Sequence, residues 1–119
     1  MMAVVLVVED DVLVRWVLND ALRTFNHDVR LAETAAAGVA AFRRERPDAV
    51  ILDIVLPDAP WTVVLDYMRK LRPDVPVVMM SGHGDETFAQ EARSHGAFDY
   101  LAKPFSLDRF VGVLTAALK

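Results

Sequence analysis

Short apolar runs alternate along the whole chain with longer segments of helical periodicity. Residues 3–8, 50–54 and 75–80 are runs rich in Val, Ile, Leu and Met, the composition of strands covered on both faces, and Phe98 to Ala102 is read as a fifth strand. Val29 and Leu31 alternate with polar neighbours instead, which predicts a weaker strand at or near a sheet edge. Between these runs the apolar spacing is that of helices. Asp11 is placed to cap a first helix carrying Val14, Val17, Leu18, Ala21, Leu22 and Phe25 on one stripe. Thr34 is placed to cap an alanine-rich helix over 35–44, closed by Glu45-Arg46-Pro47. A third helix is predicted over 62–71 with Val63, Val64, Tyr67, Met68 and Leu71 inward. A fourth, polar one begins at Asp85 or Thr87, runs through Arg93 and stops at Gly96. Ser106 caps a last helix over 107–118. Trp16, Phe42, Phe98 and Phe110 are predicted core residues, and Met79 and Met80 strand filling.

Strand followed by helix, repeated five times without a linker or a sequence repeat, predicts an α/β fold. The expected architecture is a doubly wound five-stranded parallel sheet of order 2-1-3-4-5, with five helices in a three-layer αβα arrangement. In such a sheet the carboxyl ends of the strands open on one rim, where ligands bind.

Composition narrows the class. The 119 residues suit one domain, 1–119, with a core of its own and no output domain in this chain. No cysteine is present, so neither a disulfide framework nor a thiolate metal site is available. The net charge of -4 argues against direct nucleic acid binding by this domain. The apolar run at 3–8 is too short for a membrane span or a signal segment, and a cytoplasmic location is expected.

The apolar runs deliver polar groups to the rim. Residues 3–8 end in Glu9-Asp10-Asp11, and Val50-Ile51-Leu52 end in Asp53, before Pro57 stops regular pairing. Ser81 and Lys103 follow the fourth and fifth runs. Singly, each has an ordinary reading: a solvated strand end, a helix cap, a turn or a surface charge. Asp58 and Asp85 are assigned to loop and cap. Together, Glu9, Asp10 and Asp53 would repel by on the order of 3 to 4 kcal/mol per close pair. An oxygen-loving cation resolves this, and Mg²⁺ fits, with Mn²⁺ able to substitute. His27, His83 and His95 are scattered, which gives zinc little support. Carboxylate, metal, ammonium and hydroxyl are together the equipment for handling a phosphoryl group.

The blocks Val7-Val8-Glu9-Asp10-Asp11, Leu52-Asp53-Ile54-Val55-Leu56-Pro57, Met80-Ser81-Gly82-His83 and Asp99-Tyr100-Leu101-Ala102-Lys103-Pro104-Phe105 resemble, in order and spacing, those of the response-regulator receiver domain of two-component signalling, a flavodoxin-like fold. The resemblance covers essentially the whole chain. It implies that Asp53 accepts a phosphoryl group from a sensor histidine kinase or a phosphotransfer protein, the receiver catalysing its own modification. It implies Mg²⁺ ligation by Asp10, Asp53 and the backbone carbonyl of Val55, with Glu9 acting through bound water. Lys103 would pair with Asp53 and then with the phosphoryl oxygens, and the Lys103-Pro104 bond would be cis. Ser81 would bond the phosphoryl group while Tyr100 turns inward. The surface of the fourth helix, fifth strand and fifth helix would then change, to form a homodimer or to grip an output domain or target protein.

Two features depart from the family pattern. Pro60-Trp61 stands where an acid or amide followed by glycine is common, which predicts a displaced loop with Trp61 packed down. Val55 and His83 occupy the positions that tune water access to the phosphoaspartate. A pseudo-receiver that acts as an interaction module without phosphorylation is the alternative. An aspartate-nucleophile phosphatase of the haloacid-dehalogenase type expects an acid where Val55 stands, and a dinucleotide-binding loop expects a glycine where Thr87 stands.

Overall fold

The computed structural model describes residues 2–82 and 86–119. Strands and helices alternate as β1 (Val4–Val8), α1 (Val12–Thr24), β2 (Asp28–Ala32), α2 (Ala35–Glu45), β3 (Ala49–Asp53), α3 (Trp61–Leu71), β4 (Val77–Ser81), α4 (Glu86–Ser94), β5 (Asp99–Ala102) and α5 (Leu107–Ala117). The strands form one parallel sheet in the expected order β2-β1-β3-β4-β5. Its register aligns Val8 with Leu52, Asp53 with Met80, and Ser81 with Ala102. The residues that end or follow β1, β3, β4 and β5 therefore arrive at one rim.

Alternation along each strand divides the core in two. On one face Val5, Val7, Ile51, Val78, Met80 and Leu101 pack under Leu18 and Leu22 of α1 and Phe110, Val113 and Leu114 of α5. On the other, Leu6, Val8, Val50, Leu52, Val77, Met79 and Tyr100 meet Phe42 of α2, Val64, Leu65 and Met68 of α3, and Ala89 and Ala92 of α4. Gly38 lets α2 approach β1 closely: a Cβ built there would stand 2.8 Å from a Val8 methyl.

Helix starts follow local chemistry. Asp11 Oδ1 accepts from the amides of Leu13 (2.8 Å) and Val14 (3.3 Å), Thr34 from Ala37 (3.0 Å), and Ser106 from Arg109 (3.0 Å). Helix α2 gains a second cap from a distant segment. The Asp58 carboxylate accepts from the amides of Ala35 (2.7 Å) and Ala36 (3.0 Å), and these bonds hold its pKa below the usual carboxylate value. Gly96, at φ 92°, ends the turn after α4.

Several predicted core positions are overturned. Trp16 is 66% exposed, because the buried stripe of α1 runs through Leu18 and Leu22 and Trp16 lies off it, as Val17 and Phe25 also do. Phe98 is 44% exposed, since it precedes the short edge strand β5, where one side lacks a neighbour. In α3 the buried residues are Val64, Leu65 and Met68, so the stripe is rotated from the predicted one and Val63, Tyr67 and Leu71 face solvent. Leu31 is likewise exposed on β2, which is an edge strand as expected. Phe42 and Phe110 are buried, as are Met79 and Met80.

Candidate functional site

Strand β1 carries its ladder one residue past Val8, where the Glu9 amide donates to the Ala32 carbonyl at 2.9 Å, and this draws Glu9 fully into the interior. Asp10, the next residue, is exposed. Asp53 closes β3 and is 3% exposed, so the carboxylate foreseen at a strand end is in fact almost wholly buried. One carboxylate oxygen from each of Glu9, Asp10 and Asp53 lies within 4.8 Å of the others.

Lys103 enters from beyond β5. Its amide donates to the Ser81 carbonyl at 2.7 Å, and the Lys103-Pro104 peptide is cis, as the family resemblance implies. Its ammonium stands 2.5 Å from Glu9 Oε1 and 3.4 Å from Asp53 Oδ2. Lys103 thus joins two of the acids, with Glu9 the nearer. The other Glu9 oxygen, Oε2, accepts from the Asp11 amide at 3.2 Å, and Asp53 Oδ1 accepts from the Val55 amide at 3.3 Å.

The electrostatics match this crowding. Burial and the neighbouring Asp53 raise the Glu9 pKa, and the bonds from Lys103 and the Asp11 amide only partly oppose them. Burial works against the Lys103 ammonium, but its bond to Glu9 and the charges of Asp53 and Glu9 outweigh that, and its pKa is raised. One ammonium against three carboxylates leaves negative charge uncompensated. An all-oxygen, anionic donor set of this kind fits a hard divalent cation such as Mg²⁺. Histidine takes no part among the described residues: His27 accepts from the Ala3 amide and His95 pairs with Asp66, both away from the acids.

The remaining predicted residues take neighbouring places. Ser81 ends β4 fully buried, one residue beyond the partner of Asp53 in the register. Tyr100 is 9% exposed with its ring inside, and its hydroxyl has no hydrogen-bond partner among the described residues. The ring begins an aromatic series: Phe88 of α4 lies 5.0 Å from it, Trp61 of α3 lies 5.1 Å from Phe88, and His95 meets Trp61 edge-on at 5.6 Å. Trp61 is therefore packed down on the core, as expected. His83 and the possible cap Asp85 lie outside the described residues.

Arg15 was not among the predicted site residues, although it reaches the site's backbone. Its Nη1 donates to the carbonyls of Glu9 (2.8 Å) and Asp10 (3.0 Å), and its Nη2 to Glu33 Oε1 (3.3 Å). Its only sequence signal is a basic residue one turn into the helix that follows the acids.

Residues 5–115 match the family model described as the response regulator receiver domain. Among curated relatives, the DNA-binding transcriptional regulator NtrC of Rhizobium meliloti (strain 1021) is 39% identical over 116 residues, which are 98% of this chain and 24% of that protein. NtrC of Escherichia coli (strain K12) is 35% identical over 115 residues, covering 97% and 24%. The chain spans about a quarter of the length of these relatives. Among solved structures, the receiver domain of NtrX from Brucella abortus superposes with a TM-score of 0.90 at 38% identity, covering 96% of this chain and 97% of that one. A CheY-like receiver domain protein from Methanospirillum hungatei JF-1 gives 0.92 at 26% identity, covering 99% and 94%. Matched along nearly its whole length by the family model, and in fold by receivers of known structure, this chain belongs to the response regulator receiver domain family of two-component systems.

Proposed function

We propose that the chain is a phosphorylation-controlled switch whose acceptor is Asp53. The observation that carries this reading is the buried Asp53 carboxylate at the end of β3, with Glu9 and Asp10 within 4.8 Å and the Lys103 ammonium 3.4 Å away. In the reaction a carboxylate oxygen of Asp53 attacks phosphorus, the P–N bond of a donor phosphohistidine breaks, and the released imidazole nitrogen takes a proton. Lys103 holds an equatorial phosphoryl oxygen, and Ser81 donates to another. Asp10, Asp53 and the Val55 carbonyl would hold Mg²⁺ or Mn²⁺, with Glu9 acting through water. The metal would supply charge neutralisation of the carboxylates and the incoming phosphoryl oxygens.

The donor is a sensor histidine kinase or phosphotransfer protein. A place for it to rest adjoins the rim: Leu13, Val14, Val17, Lys103, Pro104 and Phe105 line an apolar cavity of about 380 Å³. Phosphorylation adds about 1.5 to 2 negative charges, which Lys103 and Ser81 read directly. Tyr100, through Phe88, would carry the change to the surface of α4, β5 and α5. On that surface Arg93 and Arg109 both stand 3.6 Å from Asp99, ion pairs that an output domain, a target protein or a second copy could exchange for its own. Control of transcription is the output in keeping with the names of the relatives, and the cytoplasm is the expected location.

The test is incubation with Mg²⁺ and acetyl phosphate followed by intact mass. One added phosphoryl group is expected, absent in Asp53→Asn. Failure to label under conditions that label another receiver would favour a phosphorylation-independent interaction module.

A further inference from the structure

We propose that Arg15 is a positioning residue for the acidic site, holding the backbone from which Glu9 and Asp10 project. The inference rests on the reading of that site as one for a divalent cation. Nη1 has two hydrogens, and the distances to the carbonyls of Glu9 and Asp10 give one to each. The fork fixes two successive peptide planes, and those planes set the directions of the side chains. For Glu9 this is reinforcement, because Lys103 and the Asp11 amide already hold its carboxylate. For Asp10 it is decisive: its carboxylate is exposed, and its own backbone is the part that Arg15 anchors.

The guanidinium is built into the fold rather than laid on it. The Arg15 side chain is 13% exposed, and it ties α1 to the end of β1 and, through Glu33, to the residue that follows β2. Outer groups that orient metal ligands commonly change affinity by about 10- to 100-fold when removed. The sign of the effect separates positioning from electrostatics. A positive charge near a cation site opposes binding, so if charge were its main influence, a neutral residue at position 15 would tighten the site. Positioning predicts the reverse.

The experiment is calorimetric Mg²⁺ titration of the whole chain, without a phosphodonor, for wild type, Arg15→Met, Arg15→Lys and Glu33→Gln. Arg15→Met is expected to bind at least about tenfold more weakly. Arg15→Lys keeps the charge but ends one bond short of Nη1 and has no second nitrogen for Glu33, so it should fall between Arg15→Met and wild type. Glu33→Gln should stay within about twofold of wild type, as exposed pairs are weak. With saturating Mg²⁺, labelling of Arg15→Met by acetyl phosphate should recover the wild-type maximal rate, so the defect lies in the Mg²⁺ half-saturation.

Unchanged or tighter binding by folded Arg15→Met would overturn the proposal, as would an equal loss in Glu33→Gln. Should Arg15→Met fail to fold by circular dichroism, wild-type affinity in Arg15→Lys would overturn it instead. If wild type takes up neither Mg²⁺ nor Mn²⁺, the metal reading of the acids falls and this inference with it. Wild-type binding beside an unaffected arginine variant refutes the inference alone.

Discussion

Both rims of the sheet use charged side chains to hold backbone, but among the described residues the carboxyl rim also crowds carboxylates against one another. At the amino rim, charged and polar groups are spent on the backbone. Asp48 accepts from the Val4 amide (2.8 Å), His27 Nδ1 from the Ala3 amide (3.2 Å), and Arg72 reaches the Phe42 and Arg43 carbonyls while stacking over the Phe42 ring (5.0 Å). Arg69 likewise donates to the carbonyls of Pro73 and Val75. These bonds pin the chain segments that enter and leave the elements there. At the carboxyl rim Arg15 and Asp58 hold backbone in the same way, but Glu9, Asp10 and Asp53 crowd one another there, and Lys103 bridges Glu9 and Asp53. The first arrangement fastens the fold, whereas the second leaves charge for a ligand to relieve.

The contrast can be broken at either end. The largest expected effect is that of the cation. At a Mg²⁺ concentration 100 times its Kd, unfolding in urea should show about 2.7 kcal/mol of added stability over chelator-treated protein. Most of this gain should vanish in Asp53→Asn, whereas an amino-rim variant such as Arg72→Ala should keep it. Loss of the gain in both variants would mean that the rims are not independent.

Next, Arg72→Ala should cost about 1.5 to 3 kcal/mol through its charge-assisted bonds to two carbonyls, without changing the Mg²⁺ dependence of melting. Acid should then act on the rims in opposite directions. Burial lowers the His27 pKa, so its contribution is present above the unfolded value near 6.5 and is lost as pH falls through the lower folded value. The Glu9 pKa is raised, so its contribution is full below the unfolded value near 4.5 and is lost as pH rises through the folded value. In chelator, His27→Gln should flatten the loss of stability below about pH 6.5. Glu9→Gln should raise the melting temperature at neutral pH. The reverse order of either slope, measured by thermal melts across pH 4 to 8, would contradict the assignment. Smallest of all, Trp16→Ser should move stability by no more than about 0.5 kcal/mol, since Trp16 faces solvent.

The sequence made the order of elements legible because period-2 and period-3.6 patterns alternate cleanly, and each apolar run ends in a polar group. That pattern alone assigns Asp53, Glu9, Asp10, Ser81 and Lys103 to one rim. Which stripe of a helix is buried was less legible. In α1 and α3 apolar residues occupy more than one face, so Trp16, Val17 and Val63 look like core by composition and are excluded only by the neighbours that the sheet supplies. Least legible were the contacts of Arg15 and Asp58. They join backbone to side chain across separate loops, and nothing in local spacing encodes such a partner.

The cap that Asp58 places on α2 has a consequence for recombining receivers. The chain between Asp53 and Asp58 runs from the end of β3 to the first amides of a helix that precedes it in sequence. Lengthening or shortening that segment would slide the acid off Ala35 and Ala36 even if every rim residue stayed in place. A chimera that imports a foreign β3–α3 loop should therefore import the start of α2 with it, since the two segments are one exchangeable unit although α2 and β3 lie between them in the chain.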